Sequence, residues 1–173
     1  MDLNNRPAFS LDGFFHDYGF SAIPPGEAPT SSVEGTAEGT VVIDYSMDSV
    51  GLLEEPITLT FESGIVTPVE GGTEASQLRD RMVDIENAGN MAKFAIGTNP
   101  DARLVGNLAE DKKRLWTVHF TIGDNESLGG DIHLDGVVLD PTVELDGETI
   151  LEEGQVDLHR IRELSAVLDS SRS

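Results

Sequence analysis

Two histidines and an aspartate in the last third of the chain are of the types that hold a metal ion. His133 and Asp135 stand at i and i+2; alternate side chains of a strand share a face, so both can bind one ion. If the strand of His119, between Val118 and Phe120, runs beside theirs, the three form a two-histidine, one-carboxylate face with open positions, a set that suits Fe(II), Zn(II) or Mn(II). The 173 residues include no cysteine. Any transition metal must therefore be held by His, Asp or Glu, and disulfides and thiol nucleophiles are excluded. No organic cofactor is expected. A His-x-Asp pair also arises by chance, and His119 suits an ordinary half-buried strand position, so these residues alone leave the ion open. His16 and His159 have no ligand spacing around them, and Ser31-Ser32 lacks an adjacent histidine for a triad.

The elements that must position these residues read as α+β, a mainly antiparallel or mixed sheet with two amphipathic helices. Strand patterns run over residues 40–44, 57–61, 65–69, 92–96, 115–122, 132–139 and 142–145, with hairpin turns at Glu62-Ser63-Gly64 and Asp146-Gly147. Ala75, Leu78, Met82 and Ile85 recur at helical spacing, predicting a helix over 73–87 with Thr73 as N-cap and Gly89 as its stop. Leu158, Ile161, Leu164 and Leu168 predict a second. Residues 1–20 read as an aromatic-containing arm, 21–168 as one domain and 169–173 as a polar tail. Gly129-Gly130 reads as a flexible loop or as a close backbone approach to the His-x-Asp strand.

The formal charge is −21, from 32 acidic and 11 basic residues. That field repels phosphate backbones and anionic lipid, so neither nucleic acid nor membrane is an expected partner. It marks a strongly solvated surface, as in proteins of high-salt organisms, or an attraction for a basic partner. No basic, apolar leader pattern and no membrane-length apolar run occur, and the expectation is a cytoplasmic protein.

Several segments, in order, resemble the C-terminal half of the M29 (aminopeptidase T-like) metallopeptidase family. They are Pro25-Gly26-Glu27-Ala28-Pro29, Ala95-Ile96-Gly97-Thr98-Asn99-Pro100, Thr117-Val118-His119-Phe120 with Gly123-Asp124-Asn125, and His133-Leu134-Asp135-Gly136. The resemblance spans about Ser21 to Gly154. It implies that Glu27, His119, His133 and Asp135 fall on positions that surround two divalent metals in the family. It also implies that two family carboxylates fall on Lys93 and Lys112. An ammonium brings a cation and no lone pair, so a dimetal hydrolase is not expected; a lysine can instead occupy a vacated metal position and neutralise the remaining carboxylates. Glu27 is then a fourth ligand, an outer acceptor or a water-activating base. Asn99 is a candidate contact for a substrate carboxyl or peptide bond, or only part of a turn. Trp116, where the family has a small residue, either narrows the pocket and offers a stacking face or packs in the core.

The resemblance also implies an open groove where the family's other half would lie, covered by a partner or by a second copy in a homodimer. Folds of this type resemble those of the ring-cleaving dihydroxypyridine dioxygenases, which use one iron. The expected function is a peptide-directed metalloprotein on an altered peptidase scaffold, with one divalent metal acting on a peptide or small molecule. The alternative is a non-catalytic peptide-binding accessory, for example in peptide natural-product maturation. An active aminopeptidase ranks last.

Overall fold

The computed structural model describes residues 1–15, 21–124, 131–156, 159 and 162. The strands are β1 (Glu27–Ser31), β2 (Gly39–Ile43), β3 (Ser46–Met47), β4 (Gly51–Leu52), β5 (Ile57–Glu62), β6 (Ile65–Glu70), β7 (Met91–Gly97), β8 (Val118–Gly123), β9 (His133–Val138), β10 (Val143–Leu145) and β11 (Glu148–Leu151). The helices are α1 (Thr73–Met82) and α2 (Leu108–Asp111). A six-stranded sheet runs β1-β7-β8-β9-β3-β4; β2-β5-β6 and β10-β11 form smaller sheets. Every pairing of named strands is antiparallel, so the sheet is not mixed.

The expected strands appear within a few residues of their predicted ends, but the helices differ. α1 ends at Met82 rather than at residue 87, because Val83 is extended and Asp84 and Asn87 take positive φ, which Asp and Asn tolerate. Its N-cap is Gly72, with no side-chain cap, so Thr73 is the first helical residue. There the backbone passes so close to Glu55 that an added Cβ would sit 2.1 Å from the carboxylate. The helix predicted over 158–168 lies almost wholly outside the described residues, as do His16 and Gly129-Gly130. Among the described residues the other named helix is the single turn of α2, capped by the Asn107 side chain accepting from Ala109 N.

One face of the six-stranded sheet is apolar. Ile122 and Leu134 join Ile43, Met47, Ile57, Leu59, Phe61 and Leu78 in the larger core cluster, where α1 also buries Ala75. Phe94 and Val118 form a second cluster with Leu151. Strand alternation sends the residues between them, Lys93, His119, Thr121, His133 and Asp135, to the opposite face. The Ala8–Thr30 and Leu11–Glu27 bridges lay part of the arm along the free edge of β1.

Candidate functional site

Register builds the site. Ser31 on β1, Lys93 on β7, Thr121 on β8 and Asp135 on β9 are successive cross-strand partners, so they form one row. In the next row Pro29, Ala95, His119 and Val137 are partnered, and Glu27 lies opposite Gly97 one step further. His133 lies opposite Gly123. Small residues beside large polar ones leave room on this face. Gly97 is obligatory, since a Cβ there would lie 2.1 Å from the Arg114 carbonyl oxygen.

The turn after α2 delivers two further charges. Lys112 Nζ lies 2.5 Å from Asp135 Oδ2, and Lys113 Nζ lies 2.6 Å from Glu27 Oε1. That turn is fixed by Asp111, a fully buried carboxylate whose Oδ1 accepts from Val105 N and Gly106 N. Asp135 Oδ1 also accepts from Thr121 Oγ1, with Lys93 Nζ at 3.5 Å and His133 Nε2 at 3.4 Å. His119 is wholly buried, with Nε2 2.9 Å from Glu27 Oε2. The contact falls short of strict hydrogen-bond geometry, and His119 Nδ1 has no bonded partner among the described residues, but a neutral ring protonated at Nε2 directs that N–H dipole at Glu27. The result is two carboxylates held by lysines.

The electrostatics follow. Burial raises the Glu27 carboxyl, but the His119 ring and the Lys93 and Lys113 ammoniums outweigh it and hold the group well below the ordinary range. Asp135 is likewise pushed up by burial and pulled further down by His133, Lys93 and Lys112. Burial lowers His119, against the pull of Glu27, and so favours its neutral ring. Burial also lowers Lys113, opposed by Glu27 at 2.6 Å, whereas Asp135 and Glu27 outweigh burial at Lys112 and raise it.

The expected His119/His133/Asp135 triad does not converge. His119 lies one row beyond Asp135 and points to Glu27 instead. No group of three or more His, Cys, Asp or Glu side chains that could hold a metal ion occurs among the described residues. The donor set does not fit a resident divalent ion: both Asp135 oxygens and Glu27 Oε1 already face ammonium or hydroxyl donors, which leaves Glu27 Oε2, beside His119 Nε2, as the open oxygen of the pair, and two carboxylates stand against three lysines. Glu27, so strongly held in its ionised form, is a weak base.

Lys93 and Lys112, expected as altered ligand positions, both face Asp135. Asn99 serves the scaffold: its Nδ2 donates to the Pro25 carbonyl at 3.0 Å and its backbone N to the Lys113 carbonyl at 2.9 Å. It thereby ties the turn before Glu27 to the turn carrying the lysines. Trp116 packs with Phe94 and Val118, on the face away from the site. Lys113, 3% exposed, and Thr121, which donates to Asp135, are site residues that the sequence reading missed; the signal for Lys113 was only its position beside Lys112.

A pocket of about 280 Å³ opens onto this face, lined by Lys93, His133, Glu27 and Asp124 with apolar Phe9 and Leu11 from the arm. Larger clefts of about 450 and 500 Å³ lie along β11 and beside Phe94 and Phe120; neither is lined by histidine or lysine.

A family model described as NicX, 2,5-dihydroxypyridine 5,6-dioxygenase, matches residues 1–158. The 2,5-dihydroxypyridine 5,6-dioxygenase of Pseudomonas putida KT2440 is 28% identical over 174 residues, covering 89% of this chain and 49% of the relative. The chain thus spans about half the length of that curated relative. A solved structure of 2,5-dihydroxypyridine dioxygenase from the same organism matches with TM-score 0.70 and 25% identity, over 78% of this chain and 44% of that one. AmpT from Thermus thermophilus, of the aminopeptidase T type, matches with TM-score 0.62 and 17% identity over 87% of this chain and 44% of that one. The aminopeptidase likeness therefore holds for the α+β fold, while the family match lies elsewhere. No helix among the described residues is long and apolar enough to cross a membrane.

Proposed function

Because this chain belongs to the family of NicX, 2,5-dihydroxypyridine 5,6-dioxygenase, we propose that it takes a small hydroxylated nitrogen-heteroaromatic ring, in ionised form, into the pocket beside Lys93 and His133. The observation that carries this reading is the pocket itself. Its volume of about 280 Å³ is at the lower bound for small-molecule sites and suits one ring better than an extended peptide. Phe9 and Leu11 offer apolar surface to a ring face, and Lys93 and His133 offer donors to a ring oxygen. A role toward peptides, expected from the peptidase likeness, has no such support, and two metals would need carboxylates where Lys93 and Lys112 stand.

Absorbance titration with 2,5-dihydroxypyridine tests the reading. Saturable one-site binding, with the spectrum moving toward that of the ionised ring, is expected, and Lys93→Met should weaken it roughly tenfold or more, as for loss of a charge-assisted hydrogen bond. An unchanged spectrum at millimolar ring would sink it. The same cuvette, under air with Fe(II) added, reads turnover as loss of ring absorbance, the arm that distinguishes a ring-opening enzyme from a ring-binding protein.

A further inference from the structure

We propose that this site works without a resident divalent metal: the ammonium groups of Lys93, Lys112 and Lys113 supply the positive charge that holds Glu27 and Asp135, and Lys93 presents its remaining donors to an anionic oxygen of the ligand. The second half rests on the ring-binding reading above; the first does not.

The geometry of the three lysines differs in an informative way. Lys112 and Lys113 are each closely paired, at 2.5 and 2.6 Å from one carboxylate oxygen. Lys93 stands at 3.5 Å from Asp135 Oδ1, at the limit of a hydrogen bond, and it is the one of the three that lines the pocket. An ammonium has three donors and no acceptor, so Lys93 can face Asp135 with one hydrogen and the pocket with another. The charges facing this region are Glu27, Asp135, Asp48 beside Lys112 and, at the pocket wall, Asp124, against Lys93, Lys112 and Lys113, with neutral His119 and half-exposed His133. Each of the two buried carboxylates is already matched by a closely paired lysine. A divalent ion would add two positive charges beside ammoniums that cannot move away without uncovering a buried carboxylate, whereas a monoanion adds one negative charge beside Lys93.

Purified chain stripped with chelator, titrated with Mn(II), Fe(II) or Zn(II) over a background of Mg(II) that occupies nonspecific acidic sites, tests the first half. No stoichiometric uptake and no rise in Tm are expected. The Lys93→Glu/Lys112→Glu variant should instead take up one equivalent or more and gain Tm on metal addition. Stoichiometric uptake by the unaltered chain, with a rise in Tm, overturns the proposal whether or not the variant folds. Calorimetric titration with 2,5-dihydroxypyridine tests the second half: equal affinity with and without chelator, and roughly tenfold weaker binding by Lys93→Met, is expected. Binding that appears only after metal is added overturns the metal-free site and leaves the ring-binding reading standing. Absence of binding under both conditions overturns the ring-binding reading and the role of Lys93, while the metal titration still decides the first half.

Discussion

Glu27 and Asp135 are nearly inaccessible to water, at 5% and 2% exposure, and each is ionised because a lysine end reaches it. Removing one partner of such a pair strands the other charge, so Lys113→Met should cost about 3–5 kcal/mol, read by urea unfolding. The Lys113→Met/Glu27→Gln double variant should recover most of it. A cost under about 1 kcal/mol for the single variant would mean that Glu27 finds another partner. The same groups set the acid response. Glu27 and Asp135 have lowered folded values, and neutral, buried His119 resists protonation. In each case the unfolded chain binds more protons as pH falls, so stability is full above about 6.5. It should start to fall as unfolded His119 protonates below its ordinary 6.5, and more steeply below the ordinary 4.5 and 3.8 of Glu and Asp. A Tm flat from pH 7 to 4 would contradict this. Lys113 was illegible in the sequence because a lysine is by type a surface residue. Its burial comes from a helical turn seated on a sheet, which no local pattern encodes.

At the level of elements, the strands that carry the site were legible from alternation: β7, β8 and β9 lie where Ala92–Ile96, Leu115–Ile122 and Ile132–Leu139 placed them. β1 was not, because Pro29 interrupts a five-residue strand; as an edge strand it tolerates the missing donor. The convergence of His119 with His133 and Asp135 depended on register, and a two-residue step along β8 separates them. The short link from Asn99 to Pro25 and Lys113 was also beyond sequence reading. Gly26, at φ +112°, sits where an added Cβ would lie 2.4 Å from Asn99 Cβ. Gly26→Ala should therefore destabilise by about 1–3 kcal/mol and displace Glu27. Asn99→Ala, which removes the bond to Pro25, should cost about 1 kcal/mol and weaken ring binding through that displacement. Unchanged ring affinity in both variants would show that the turn does not position the site.

Across the whole molecule, −21 charges repel one another, while the site gathers three of only 11 basic residues. Surface repulsion is screened once the Debye length shrinks to about 3 Å near 1 M salt. The Tm should therefore rise between 0.05 and 1 M KCl, and a fall would place the dominant electrostatics in attractive surface pairs instead. The buried pairs feel this screening little, so ring affinity should change much less than stability over the same range. The most direct measurement is a crystal structure of the chain soaked with 2,5-dihydroxypyridine. Ring density is expected in the pocket, with one ring oxygen within hydrogen-bond reach of Lys93 Nζ and with Lys112 and Lys113 still on Asp135 and Glu27. A ring bound elsewhere, or an ion ligated by His133 and Asp135 with the lysines displaced, would contradict it.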